Sequence, residues 1–245
     1  MHRAKGTGVN RSSRSSACIY SGLVVTPRSP KGRARETAAR LSAEYPGTAK
    51  DLCELDFENP FQLIVATVLS AQTTDDRVNQ VTPAVFKRYP APSDLAAAEP
   101  VELEDLIHST GFFRSKAKSL IGLGLALEER FGGVVPALME DLVTVPGVGR
   151  KTANVVLSVG FGLPGLPVDT HVTRLSRLLG LTAATDAVRI ESDLCAMLPP
   201  SVWGAFSLQM ILHGRRVCVA RRPRCEECSL ADFCPSSQAP GRRPR

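Results

Sequence analysis

Apolar residues recur along this chain at intervals of three and four. Ala38, Leu41 and Tyr45 begin the pattern, Phe61, Ile64, Val65, Val68 and Leu69 continue it, and Val81, Val85 and Phe86 follow. Leu120, Leu123 and Leu127, then Leu175, Leu178 and Leu179, repeat it. Such spacing puts the apolar side chains on one face of an α-helix. No run of strict alternation marks a half-buried strand, and Val134–Val135, after Gly132 and Gly133, reads as a turn. Asn59 before Pro60 couples a cap to a first-turn proline, and Ser93, Ser115 and Asp186 are further N-cap candidates. The pattern predicts an all-α fold of about ten short helices from about Gly32 onward, without internal repeats.

The first 30 or so residues mix Ser, Arg, Gly and Pro with no sustained period, which predicts a disordered basic extension over residues 1–35. Its Arg and Ser content gives it some transit-peptide character, but glycines and prolines interrupt any long amphipathic helix. Nothing approaches the roughly 20 apolar residues of a membrane span, and no secretory signal opens the chain. A soluble, cytoplasmic protein without a membrane partner is expected. The 245 residues, 43% hydrophobic and 22% charged, exclude collagen-like, coiled-coil and wholly disordered chains. They allow one large domain or two smaller ones, and two are favoured.

Net charge is +6, but unevenly placed. Residues 1–35 hold 8 Lys or Arg and no acid, and residues 215–245 hold 8 against 3 acids. The stretch between them carries 14 basic against 21 acidic residues, net −7. Clustered positive charge is the footprint of a polyanion such as a nucleic-acid backbone, although solvated tails look the same in sequence.

Between two helical windows lies LVTVPGVGRKTANVV, residues 142–156. Pro146 ends the preceding helix, while Gly147 and Gly149 permit a tight turn that presents backbone N–H groups at the start of the next one. That arrangement suits a phosphate, which would position the protein on DNA without reading sequence. A dinucleotide loop is excluded because no strand precedes the glycines. Lys151 falls in the first turn of the following helix, where the positive dipole end, helped by burial, favours the uncharged, nucleophilic amine. A phosphate-binding or solvated lysine is the plainer alternative. Eighteen residues on, Asp169 in PVDTHVTRL is placed as an N-cap; a carboxylate fixed there could also act in chemistry.

Seven cysteines are present, and Cys218, Cys225, Cys228 and Cys234 fall within seventeen residues. An odd number in an intracellular chain argues against a disulfide framework. Four thiolates can hold Zn²⁺ or a [4Fe–4S] cluster; with a single CxxC and two lone outer cysteines, the spacing favours iron–sulfur. The intervening VARRPR would then present Arg221, Arg222 and Arg224 on a rigid rim suited to phosphates. Cys18, Cys53 and Cys195 read as tail or core thiols.

LSAQTTDDRVN (69–79), STGFFRSKA (109–117), VPGVGRKTANVVL (145–157), VDTHVTRL (168–175), ILHGRRVC (211–218) and the cysteine spacing together resemble the endonuclease III family. The resemblance runs in order from about residue 36 to 235. It implies a two-lobed, all-α helix-hairpin-helix DNA glycosylase with a C-terminal [4Fe–4S] cluster loop, gripping damaged double-stranded DNA between its lobes. On this chain the central lobe would span 53–163, and the cluster lobe 36–52 plus 164–240. Lys151 matches the family's nucleophile, Asp169 its assisting carboxylate, and the four cysteines its cluster ligands. Gln72 matches the residue that fills the space left by a flipped nucleotide. Phe112 stands at the neighbouring wedge, where the family commonly has Leu. DNA contacts would come from Gln72, Phe112, Gly147, Gly149, Arg150, His171, Arg221, Arg222 and Arg224. The implied activity is removal of oxidised pyrimidines and β-elimination 3′ to the abasic site, by a monomer associated with the nucleoid.

An adenine glycosylase of the same fold fits less well. Such enzymes generally lack the hairpin lysine, carry a glutamate where Ala66 aligns, and have a further C-terminal domain, whereas this chain ends soon after Cys234. Thymine or uracil mismatch glycosylases generally lack the lysine too. A non-catalytic DNA-binding iron–sulfur module gives no reason for Lys151 and Asp169, and an iron–sulfur electron carrier gives none for the hairpin.

Overall fold

The computed structural model describes residues 27–240. Over that span the chain is helical, with no strand among the described residues. The first helices are α1 (Pro30–Glu44), α2 (Pro60–Leu69), α3 (Asp75–Arg88), α4 (Pro92–Ala96) and α5 (Pro100–Ile107). They are followed by α6 (Phe113–Phe131), α7 (Met139–Leu142), α8 (Arg150–Val155), α9 (Thr170–Leu178), α10 (Ala187–Met197) and α11 (Trp203–Arg216). Among the described residues no helix is long and apolar enough to cross a membrane.

Local chemistry sets several helix starts. Asn59 Oδ1 accepts from Gln62 N at 3.0 Å with Pro60 opening α2, and Asp186 Oδ1 accepts from Arg189 N at 2.9 Å at the head of α10. Two expected caps fail. Ser93 lies inside α4, whose cap position is Ala91, and there the Asp94 carboxylate accepts from the Ala91 N–H at 3.0 Å. Ser115 lies inside α6, which starts two residues earlier because Gly111 and Phe112, at φ +68° and +49°, turn the chain directly into it. Helix also begins sooner than expected at the N-terminal end. Ser29 Oγ accepts from Gly32 N at 3.1 Å and Pro30 takes the first helical position, so residues 30–35 of the expected extension belong to α1. Residues 1–26 of that extension, with Cys18, lie outside the described residues.

Two apolar cores form. One gathers Leu69 from α2, Val85 from α3, Leu103 from α5, Leu120 and Leu127 from α6, and Val148 and Val156 from the hairpin. The other gathers Leu41 from α1, Leu175 from α9, Leu194 from α10, and Phe206 and Met210 from α11. Each fully buried side chain of this size contributes roughly 1.5–3 kcal/mol. A small third group, Ala49, Leu63, Val155 and Val159, lies where α2 and the end of the hairpin helix meet, with Leu208 of α11 packed against it. The hairpin helix continues past α8 as a π-turn over Val156–Gly160, where Ser158 Oγ donates to Asn154 O at 2.7 Å. Gly204 of α11 packs on that turn so closely that a Cβ would stand 2.6 Å from Ser158 Cβ. Charges also bridge the two cores: Arg215 of α11 pairs with Asp75 of α3 at 2.8 Å and with Glu54.

Candidate active site and metal centre

The hairpin leaves α7 at Leu142, four residues before Pro146, and Val148 N–H donates to Val145 O at 3.0 Å to close its turn. Gly147 sits at φ +79°, where a side chain is strained, and a Cβ there would stand 2.9 Å from Ser119 Cβ. Gly149 caps α8 with no side chain, and a Cβ there would meet nothing within 4 Å. The first N–H groups of α8 therefore have no capping side chain and open on an unobstructed face, where an external acceptor can use them. Lys151 is the second residue of α8 and is exposed. Lys151 thus stands in the first turn of α8, where the sequence placed it, but it is not buried as the sequence reading expected. Its ammonium is felt by Cys53, whose thiol is pushed up by burial and by Asp75 and pulled back by Lys151.

Asp169 caps α9, its Oδ1 accepting from Val172 N at 2.8 Å. The segment leading to it is anchored twice: Leu166 N donates to Asn154 Oδ1 at 3.0 Å, and Ser207 Oγ donates to Pro167 O. Asn154 lies three residues after Lys151, so one side chain joins the helix of Lys151 to the strap that carries Asp169. Its Nδ2 donates in turn to Glu191 at 3.1 Å, and Glu191 also takes two bonds from Arg150, each 2.8 Å. Arg150, expected at DNA, thus spends Nε and one Nη on the protein and keeps its other Nη on an exposed residue. His171, in the first turn of α9, is half-buried against Gly214. Burial pushes its imidazole below the ordinary value; Asp169 opposes that shift, and Arg174 and Arg215 add to it. Asn154 and Glu191 were not singled out in the sequence. The available signal was an acid between Ile190 and Leu194, on a face otherwise committed to the core.

Gln72 and Phe112 are the only non-glycine residues at positive φ among the described residues, +56° and +49°. Both are exposed, Phe112 at 66%. A cavity of about 740 Å³ lies elsewhere, between α1, the π-turn and α11, and none of Lys151, Asp169, Gln72 or Phe112 lines it.

Cys218, Cys225, Cys228 and Cys234 line one cavity of about 210 Å³, the room taken by about seven waters in the liquid. A single tetrahedral Zn²⁺ needs four sulfurs at about 2.3 Å from one point. Among the described residues no three His, Cys, Asp or Glu side chains converge in that way. Four cysteines spread around a cavity instead fit a multi-iron cluster. Arg174 lines the same cavity with a buried Nε that has no partner among the described residues, a donor suited to anionic sulfur. Its Nη2 donates to Cys218 O at 2.7 Å and Gly214 O at 3.0 Å. His213 is buried with Nε2 3.3 Å from Cys228 Sγ, and its Nδ1 faces Tyr45 Oη at 3.3 Å. Burial pushes the Cys228 thiol up to about 11, so ligation must displace a firmly held proton. Of the expected rim, Arg221 and Arg222 are exposed and enter no ion pair among the described residues, while Arg224 is turned back to Glu227 at 3.1 Å and to Arg216 O.

Similarities to known proteins follow the same outline. A model of the HhH-GPD superfamily of base excision DNA repair proteins matches residues 65–200, and the iron–sulfur binding domain of endonuclease III matches 218–234. Endonuclease III of Synechocystis is 55% identical over 220 residues, 89% of this chain and 99% of that one. Endonuclease III of Bacillus subtilis is 46% identical over 187 residues, covering 76% and 85%. A solved structure of a trapped endonuclease III–DNA covalent intermediate superposes with a TM-score of 0.79 at 40% identity, covering 84% of this chain and 96% of that one.

Proposed function

Because this chain belongs to the endonuclease III family, and is a bifunctional DNA glycosylase and AP lyase of base excision repair with a [4Fe–4S] cluster, we propose that Lys151 is its nucleophile, Asp169 its assisting carboxylate, and oxidised pyrimidines in duplex DNA its substrates. The observation that carries this reading is the joining of α8 to the Asp169 strap through Asn154, which holds an exposed amine and a half-buried carboxylate in a fixed relation.

The damaged nucleotide must first leave the duplex, at a cost of a few kcal/mol that falls when the base stacks poorly. Gln72 and Phe112 fill the space it vacates; the ring of Phe112 can stack where a leucine would only wedge. Lys151 Nζ, unprotonated, attacks C1′; the glycosidic bond breaks, and the base leaves with the electron pair and takes up a proton. Asp169 stabilises the positive charge developing on the sugar and takes the proton lost by the amine. Opening of the ring gives a Schiff base at C1′, which acidifies the C2′ proton; its removal expels the 3′ phosphate, and water then releases the enzyme. The hairpin glycines with the outer edge of Arg150 hold phosphate, His171 lies beside Asp169 at the same cleft, and Arg221 and Arg222 form a second basic rim that Arg224 braces from behind through Glu227 and Arg216 O. The cluster supplies cross-links that fix this rim, through Cys218, Cys225, Cys228 and Cys234. The lobes divide as 53–163 and 30–52 plus 164–240, the second taking in the whole of α1, and the enzyme works as a cytoplasmic monomer at the nucleoid.

The test uses duplexes carrying thymine glycol, 8-oxoguanine, or adenine opposite 8-oxoguanine, each with borohydride. Wild-type protein is expected to cut and be trapped on the first. Lys151→Gln is expected to bind it without cutting or trapping; retained trapping would exclude Lys151, and preference for the third duplex would exclude the substrate class.

A further inference from the structure

Lys116 is 5% exposed, and no carboxylate touches it among the described residues. An ammonium so buried is costly, and burial draws its pKa below the ordinary value. Its three protons go to three neutral acceptors: Leu69 O at 2.8 Å, Thr110 O at 2.8 Å and Thr73 Oγ1 at 2.9 Å. The Thr73 hydroxyl gives its own proton to Thr110 O, so all three oxygens can only accept from the lysine. A neutral amine, with two donors and a lone pair, does not satisfy that cage.

The acceptors share a location. Leu69 ends α2 three residues before Gln72, Thr73 follows Gln72, and Thr110 lies two residues before Phe112. The cage therefore closes on the two loops that carry both non-glycine residues in the left-handed region, a conformation that persists only when its surroundings impose it. We propose that Lys116 is a positioning residue that latches the Gln72 loop to the Phe112 loop, so that both side chains stand ready for the gap left by a flipped nucleotide. The inference rests on the roles given above to Gln72 and Phe112.

Lys116→Met keeps the apolar stem and removes all three donors. Thr73→Val keeps the charge with its two carbonyl partners, and with them one bridge between the loops, and cuts the direct Thr73–Thr110 bond and one of the lysine's three bonds. Each variant is assayed by borohydride trapping on an abasic site in duplex DNA and on the same site in a single strand, which has no opposing base and needs no filling of a gap. Expected for Lys116→Met is a duplex rate roughly 10- to 100-fold lower, with single-strand trapping within about twofold of wild type, since a misplacement of about 1 Å costs on that order. Thr73→Val should show the same dependence on strand with a smaller loss, and it carries the test if Lys116→Met does not fold. Equal losses on both substrates, tracking a lowered melting temperature, would make Lys116 a prop of the fold and overturn the latch, as would unchanged trapping on both. Failure of the unaltered protein to trap either oligonucleotide strikes at the Lys151 chemistry, and the latch falls with it.

Discussion

Glu191→Gln probes what holds the helix of Lys151 to the Asp169 strap. The carboxylate side chain is 12% exposed and takes two bonds from Arg150 at 2.8 Å and one from Asn154 at 3.1 Å. Glutamine preserves the shape but loses the charge, and it turns an N–H donor toward a guanidinium or toward Asn154 Nδ2, groups that can only donate. A hydrogen bond to a charged group contributes roughly 1.5–3 kcal/mol. The Arg150 side chain is 47% exposed and can turn to water, so the loss is discounted to about 1–2 kcal/mol. At about 2–4 °C per kcal/mol for a chain of this size, the melting temperature should fall by about 2–8 °C. The kinetic effect follows from Asn154, which keeps Leu166 N but loses the group that fixes its amide. Single-turnover cleavage of a damaged duplex should slow by roughly 10-fold, with duplex affinity changed less. A cycle with Arg150→Met should return a coupling of about 0.5–3 kcal/mol in stability. A variant that melts within about 1 °C of wild type and cleaves at the wild-type rate refutes the reasoning, because the network would then fix nothing.

Two further outcomes separate chemistry from scaffold. Asp169→Asn keeps a side chain that caps as well as aspartate, so melting should shift by less than the equivalent of about 0.5 kcal/mol while single-turnover cleavage falls about 100-fold; equal rates would make Asp169 only a cap. His171 is held below its ordinary value in the fold, so on acidification the unfolded chain takes up the proton first, at about pH 6.5, and stability falls as pH drops from there to the lowered folded value. Denaturation at pH 5, 6 and 7 should show His171→Asn losing less stability on acidification than wild type, and coincident pH slopes would sink the assignment.

What could be read from the chain is what is local in it. Asn59–Pro60, Asp169 and Asp186 cap helices through atoms three residues away, and the four cysteines share one short loop. Ser115 misled because the entry to α6 is set by Gly111 and Phe112 in left-handed conformations, and these are latched from α2 rather than chosen by sequence. Ser29–Pro30 carried a legible cap but sits in a Ser-, Arg- and Pro-rich stretch, and α1 is fastened there by Arg33 donating to Leu179 O, 146 residues away. Lys116 and Glu191 were invisible for the same reason. Each lies at a position of helical period fit for an apolar residue; Lys116 takes two of its three acceptors from 47 and 43 residues away, and Glu191 takes its donors from 41 and 37 residues away.

The same distinction decides what the basic ends of the chain are for. Counted in sequence, they look like one footprint for a polyanion. In the fold, Arg33 holds the end of α9, Arg40 pairs with Asp232, Arg215 and Arg216 with Glu54, and Arg224 with Glu227. These arginines join α1 to α9 and to the cluster loop, α11 to the central core, and the cluster loop to itself, and so they are spent before DNA arrives. Only cations still facing water can exchange counterions with phosphate, and Arg221 and Arg222 meet that condition at the cluster rim. Among the described residues, the positive charge of these ends therefore divides into a part that fastens the elements of the fold together and a smaller part left open to a phosphate backbone, and only geometry tells one from the other.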